Sequence, residues 1–445
     1  MYTSNNFQSS GIQKIAEPPP SPPAMAFVPV KFSRPQLVPP LFCSRRIYVH
    51  LAFLIVIIII LGLIRLMSQV KVTFVEYHLK SDSDAELVTL PKRFASARGA
   101  YCLDGSPPAF YLRNSPSPSV KFWIIYLPGG SWCLTEEECL QRSHTDLGSS
   151  HVARTSMPLD GLLSNNCEIN PDFCYWNVVV LQYCDGSSFL GNQSLVLGNE
   201  SKPLYLRGAI VFDTLIEYLI STTHLGSAEQ ILLAGSSAGG VGAFIHVDRL
   251  RTRLPQTVKT LHVLVDAAMF VNTADINEGF TLAHMFQKLY SFHSLKDSES
   301  IRECTTVQTS DNEWTCLLPG VYNQFVFTPA FFINSMYDTW QRRNILKIVC
   351  DADSCPEKYL PTIYATRDAI HNLAGSITKS KKNGAFLTVC PRHTIVIRPW
   401  FFNLEVGGLS LLNSIALWLQ HHEATTSYDV VDLQSALEQC QDILK

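Results

Sequence analysis

The stretch ILLAGSSAGGVGAF, Ile231 to Phe244, decides how this chain is read. An apolar run leads into Gly235-Ser236-Ser237-Ala238-Gly239, which fits G-x-S-x-G, and a helix-compatible run follows. Strand, sharp turn and helix in that order lift a serine hydroxyl off the edge of a sheet toward a substrate. Glycines flank the serine because the turn is tight. Ser237 is therefore the predicted nucleophile. The plain alternative is a small-residue connector with no chemistry, and the rest of the chain has to decide between the two. The same stretch does not complete G-x-G-x-x-G, and G-x-x-x-x-G-K-[ST] occurs nowhere, so phosphate binding is not indicated.

Outward from this turn, short apolar runs alternate with longer amphipathic ones from about Pro91 onward. Val120–Leu127, Trp176–Tyr183, Gln230–Gly235, Thr260–Asp266, Ala330–Met336 and Ala385–Cys390 read as buried strands: β-branched-rich and without polar alternation. LRGAIVFDTLIEYLIST and LSLLNSIALWLQHH carry helical spacing. The expected class is α/β, with a mostly parallel sheet flanked by helices in the manner of the α/β-hydrolases. No internal repeat appears, so residues 91–445 are taken as one domain.

A serine elbow needs a base held by a carboxylate, and in this fold both come later in the chain, at strand ends. His371, His393, His421 and His422 lie late enough, and His393 closely follows a strand (AFLTVCPRH). His371 sits in a helix-like stretch, and His421 and His422 fall in the last turn of a helix, so His393 is the expected base. Asp338 (FFINSMYDTWQ) and Asp266 (HVLVDAAMF) both end strands. Asp338 is preferred as the acid because its strand immediately precedes the histidine's. Asp266 is expected to line the pocket or cap the next helix. Oxyanion donors are expected from the Ala238 amide and from LPGGSWC, through Gly130 or Ser131. Trp132 is then either a pocket wall or a core residue packed on the sheet.

Composition sets the outer limits. The 445 residues are 47% hydrophobic and 16% charged with a formal charge of −3, which excludes a disordered chain and gives no strong field for nucleic acid. Ile47–Ile64 is an uncharged run of 18 residues, long enough as a helix to span about 27 Å. A transmembrane signal-anchor over 47–67 is expected. A Pro-rich cytosolic tail precedes it (1–46) and a stem follows (68–90). Lys14, Lys31, Arg34, Arg45 and Arg46 precede the span, which places the bulk of the chain in a lumen or outside the cell. Only Cys43 of the 13 cysteines lies before it. Disulfides are expected beyond it, with Cys133–Cys139, Cys167–Cys174, Cys304–Cys316 and Cys350–Cys355 as plausible loop staples whose connectivity spacing alone cannot fix. Asn192 and Asn199 open sequons on the same side. No cofactor or metal site is expected, since the histidines lack ligand spacing. The KSKK run Lys379–Lys382 reads as a solvated loop.

Several separated segments, CLDGSPPAFYL (Cys102–Leu112), LPGGSWC, CLQRSHTDLGSS (Cys139–Ser150), the long block Gly161–Asn192, LYLRG, LLAGSSAGG and MYDTWQ, together with the His393 region, resemble the pectin acetylesterase family, which also contains the Notum enzymes. The resemblance covers roughly residues 99–405. It implies an α/β-hydrolase-like fold and a triad at Ser237, Asp338 and His393, with oxyanion donors at Gly130 or Ser131 and Ala238. YCDGSSF, RSHTDLGSS and YDTWQ look closer to the pectin acetylesterase arm than to the Notum arm, whose substrates carry palmitoleoyl chains on Wnt-type proteins. Trp340 is larger than the small residue of the Notum arm and is expected to shorten an acyl tunnel. Arg392 in CPRHT departs from the family's apolar or small residue and is expected at the pocket mouth.

The expected activity is therefore a serine carboxylesterase that removes O-acyl groups, foremost O-acetyl, from a glycan or secreted glycoprotein. The alternatives are a palmitoleoyl-protein carboxylesterase, a catalytically silent binding ectodomain, and a membrane scaffold that hydrolyses nothing.

Overall fold

Strands without polar alternation must be covered on both faces, and these strands are. The computed structural model describes residues 84–193, 196–199, 202–350, 354–421, 426–427 and 430–441, together with Ile55, Val56, Ile58, Ile59 and Gly62. Ten strands form one sheet: β1 (Asp84–Thr89), β2 (Ala109–Arg113), β3 (Phe122–Leu127), β4 (Ser156–Pro158), β5 (Asn177–Leu181), β6 (Gln230–Ser236), β7 (Thr260–Asp266), β8 (Ala330–Ser335), β9 (Gly384–Thr388) and β10 (Thr426–Ser427). Their spatial order is β10-β9-β8-β7-β6-β3-β5-β2-β1-β4. From β5 through β10 every pairing is parallel, whereas β2, β1 and β4 add an antiparallel edge.

All six expected strands are present, and β5, β8 and β9 are buried along their whole length. The crossovers include helices α1 (Gly208–Thr222), α2 (Ala238–Arg253) and α3 (Leu360–Ile377), with α4 (Leu411–His421) near the C-terminus. The apolar residues of α1, including Val211, Phe212, Leu215, Ile216 and Leu219, face the core. The expected boundary at residue 91 is displaced. β1 lies within the stretch read as a stem, yet it pairs on both sides, with β2 and with β4. Its sequence DAELVT buries Ala85 and leaves Glu86 exposed and Asp84 half-buried.

The transmembrane span expected over 47–67 and the tail before it lie outside the described residues, apart from the five positions named. Among the described residues no helix is long and apolar enough to cross a membrane. Six disulfides form beyond that region: the four short-range pairs expected, and also Cys102–Cys184 and Cys390–Cys440.

Candidate active site

The parallel strands direct their C-terminal ends to one rim, where open α/β sheets collect ligands. Ser237 occupies the turn between β6 and α2 with φ 56° and ψ −125°, a left-handed conformation costly for any residue with a Cβ. Two backbone bonds hold it: its own N–H donates to the Asp266 carbonyl at 2.8 Å, and its carbonyl accepts the Val241 N–H at 3.1 Å. A Cβ at Gly239 would collide with the Leu127 carbonyl at the end of β3, which is why the turn needs glycine there.

His393 lies five residues past β9 and Asp338 three past β8. The His393 Nε2 stands 2.9 Å from the Ser237 Oγ, and its Nδ1 stands 2.7 Å from the Asp338 Oδ2. Hydroxyl, imidazole and carboxylate are thus in one hydrogen-bonded line. The other Asp338 oxygen accepts the Gln341 N–H at 2.8 Å. The Gln341 side chain in turn accepts from Val271 N–H and donates to the Met269 carbonyl, tying the acid's loop to the loop after β7. Burial alone would lower the His393 pKa, but the charge and hydrogen bond of Asp338, helped by the charge of Asp266, outweigh burial and Arg398 and leave it raised above about 6.5.

Asp266 does not line the cleft. It is fully buried, and its carboxylate accepts the Ser236 hydroxyl and the amides of Ile395 (2.9 Å) and Val396 (3.3 Å). The Tyr126 hydroxyl donates to Ser236 Oγ at 2.7 Å behind it. Burial pushes the Asp266 carboxyl up to about 6 against the pull of these donors. Asp266 therefore fastens the histidine's loop to the strand that carries the serine.

The cleft over the serine measures about 690 Å³ and is lined by Gly129, Gly130, Ser131, Ser237, Trp340 and His393, with Arg342, Arg343 and Arg398 among its rim residues. No carboxylate is among the described residues that line it. Ala238 opens α2, so its amide is one of those a helix leaves without an internal acceptor. Trp340 stacks on the His393 ring at 5.8 Å and packs edge-on against Phe270 (5.5 Å) and Trp132 (5.8 Å). Trp132 is buried behind it, against Phe286, with its indole N–H on the Ser188 Oγ at 2.7 Å, so it backs the cleft without lining it. Arg392 lies near Trp400, its guanidinium 5.7 Å from the ring centre.

The remaining candidates fall elsewhere. His371 lies within α3 and His421 ends α4, while His422 is outside the described residues. The Asn192 side chain donates to the Asp297 carbonyl at 2.9 Å, and Asn199 ends a short strand, Leu197–Asn199, paired with Lys202–Leu204. Cys133, Cys139 and His293 cluster at ligand-like spacing, but the two sulfurs are joined as a disulfide and have no thiolate to offer a metal.

The family described as pectinacetylesterase matches residues 78–440. Pectin acetylesterase 11 of Arabidopsis thaliana is 32% identical over 311 residues, which is 67% of this chain and 78% of that protein. Palmitoleoyl-protein carboxylesterase NOTUM of Schmidtea mediterranea is 28% identical over 344 residues, 75% of this chain and 63% of that protein. Among solved structures, the Wnt deacylase Notum from Drosophila shares the fold with a TM-score of 0.69 at 21% identity, over 78% of this chain and 97% of that one.

Proposed function

The chain belongs to the pectinacetylesterase family, and from that premise we propose that it is a serine carboxylesterase that removes O-acetyl groups from a glycan or glycoprotein. The observation that carries this reading is the line Ser237–His393–Asp338, with both hydrogen bonds within 2.9 Å at the mouth of a cleft. In the proposed mechanism His393 takes the proton from the Ser237 hydroxyl as its oxygen attacks the acyl carbonyl. The Ala238 amide and the Gly130–Ser131 peptide receive the oxyanion, and His393 passes the proton to the leaving alcohol. Water then attacks the acyl-serine by the same route, releasing the acid and restoring the hydroxyl. Asp338 keeps the ring in the tautomer and orientation this exchange needs.

Acetyl is favoured over a long acyl chain because Trp340 fills the space beside His393 and is backed by Trp132 and Phe270. The second reading, palmitoleoyl-protein hydrolysis, draws support from the apolar character of that same aromatic group and from the NOTUM relatives. The three rim arginines favour substrates with acidic groups flanking the ester. Six disulfides are at home in an oxidising compartment, which supports a lumenal or extracellular catalytic domain, and the apolar run Ile47–Ile64 is what favours a membrane anchor before it.

Hydrolysis of p-nitrophenyl acetate by the full-length protein tests the reading. Ser237→Ala is expected to lower kcat by about 10⁴-fold or more. Equal turnover by the wild type and Ser237→Ala would reject it.

A further inference from the structure

The segment from Gly130 to Cys133 is held from outside at three of its four carbonyls. The Arg142 Nη1 donates to the Gly130 carbonyl at 2.8 Å, the Tyr183 hydroxyl to the Ser131 carbonyl at 2.7 Å, and the His293 Nε2 to the Cys133 carbonyl at 2.8 Å. Burial lowers the His293 pKa to about 4, so its ring is neutral and donates through Nε2. Without such ties the backbone would not keep this shape, since Gly130 has φ 151° and Ser131 has φ 57°. At Gly130 a Cβ would meet Leu147 at 2.9 Å and Tyr183 at 3.2 Å, so the loop is pressed against its clamp.

The clamp is built from the chain that immediately follows the loop. Cys133 is bonded to Cys139 inside the helix Glu136–Arg142, and Thr135 caps that helix by accepting the Glu138 N–H at 3.2 Å. The last residue of the helix is Arg142, which is thereby returned to the loop. Its guanidinium also donates through Nε to the Leu147 carbonyl at 3.0 Å and lies 4.9 Å from the centre of the Tyr183 ring. The Tyr183 hydroxyl accepts the Ser188 N–H at 3.0 Å, so it is itself fixed.

We propose that Arg142, seconded by Tyr183, is the positioning residue of the oxyanion site. The inference rests on the esterase reading. In a trans peptide the carbonyl and the following N–H point in opposite directions. Fixing the Gly130 carbonyl on Arg142 therefore turns the Ser131 N–H away from the arginine, to the side of the loop that faces Ser237. The charge acts as well as the geometry: a cation on the carbonyl polarises the peptide and makes its N–H a stronger donor. Neither residue touches substrate, and both act through the backbone amide. Because that amide meets full negative charge only in the tetrahedral intermediate, its loss appears in kcat more than in KM.

The test uses the full-length wild type with Arg142→Ala, Arg142→Lys, Tyr183→Phe and Ser237→Ala, assayed with p-nitrophenyl acetate and with an aryl trifluoromethyl ketone. The Ser237 oxygen adds to its carbonyl, its proton passing to His393, to give a hemiketal oxyanion. Arg142→Ala is expected to lower kcat by about 10- to 100-fold with KM within about twofold, and to weaken the ketone by a similar factor. Arg142→Lys is expected to recover part of kcat, since an ammonium can still reach one carbonyl. Where Arg142→Ala lowers the melting temperature too far to be assayed, Tyr183→Phe, which removes one hydroxyl, carries the same comparison at about 3- to 10-fold. A folded Arg142→Ala with kcat within about twofold of wild type, or a loss carried by KM alone with ketone affinity unchanged, overturns the clamp and leaves the esterase reading standing. Wild-type turnover equal to that of Ser237→Ala overturns both.

Discussion

At the scale of single residues the most consequential side chain is Trp340. It packs on His393 on one side and on Phe270 and Trp132 on the other, and on the acetyl-esterase reading proposed above its indole is the side chain that limits acyl length. Trp340→Ala is expected to raise kcat/KM for octanoyl esters about tenfold or more relative to acetyl esters. A chain-length series on wild type and variant measures this, and an unchanged preference would remove Trp340 as the limit on chain length. His393 supplies a second residue-scale prediction. Its pKa is raised by Asp338 and Asp266, and the neutral ring is the proposed base, so kcat/KM is expected to fall as pH drops through a midpoint above the ordinary histidine value of about 6.5. A midpoint below that value would contradict the charge balance described.

At the scale of elements, Asp266 joins the end of β6, where Ser236 is registered against it, to the histidine's loop at Ile395, 129 residues further along the chain. Asp266→Asn keeps an acceptor for the Ile395 and Val396 amides but removes the charge. It is expected to lower the acid-limb midpoint, because an anion that favours the imidazolium is gone, and to reduce kcat by about tenfold through a looser histidine loop. The pH profile of the variant is the measurement, and an unmoved midpoint would show that the Asp266 charge does not reach the ring.

The six buried strands were legible because an unbroken β-branched run has few other uses. β1 and β2 were not, since DAELVT carries two acids through a paired strand and AFYLR follows a proline-containing turn. For the same reason Ser237, Asp338 and His393 could be ordered along the chain from strand ends, whereas Arg142 carried no signal. Its part depends on a cystine-closed helix folding back onto Gly130, a relation of space and not of spacing. Asp266 was expected at the pocket wall or as a helix cap because a strand end alone does not say whether a carboxylate turns toward the rim or beneath it.

At the scale of the whole molecule, the long-range disulfides Cys102–Cys184 and Cys390–Cys440 span 82 and 50 residues, distances that no spacing rule could have matched. The second joins the strand-end segment leading to His393 to the end of the helix Leu433–Gln439. Cys440→Ser is expected to cost about 2–4 kcal/mol of stability and to lower the melting temperature by several degrees. Calorimetry under non-reducing conditions checks it, and a melting temperature equal to wild type would mean that the tether is slack. That tether also makes competence a matter of upbringing. A polypeptide matured among reductants would own every group of the proposed triad, yet its imidazole strap would be moored by hydrogen bonds such as those of Asp266 and Asp338, without the covalent tie. Where the chain is oxidised is thus expected to set how firmly that strap is held.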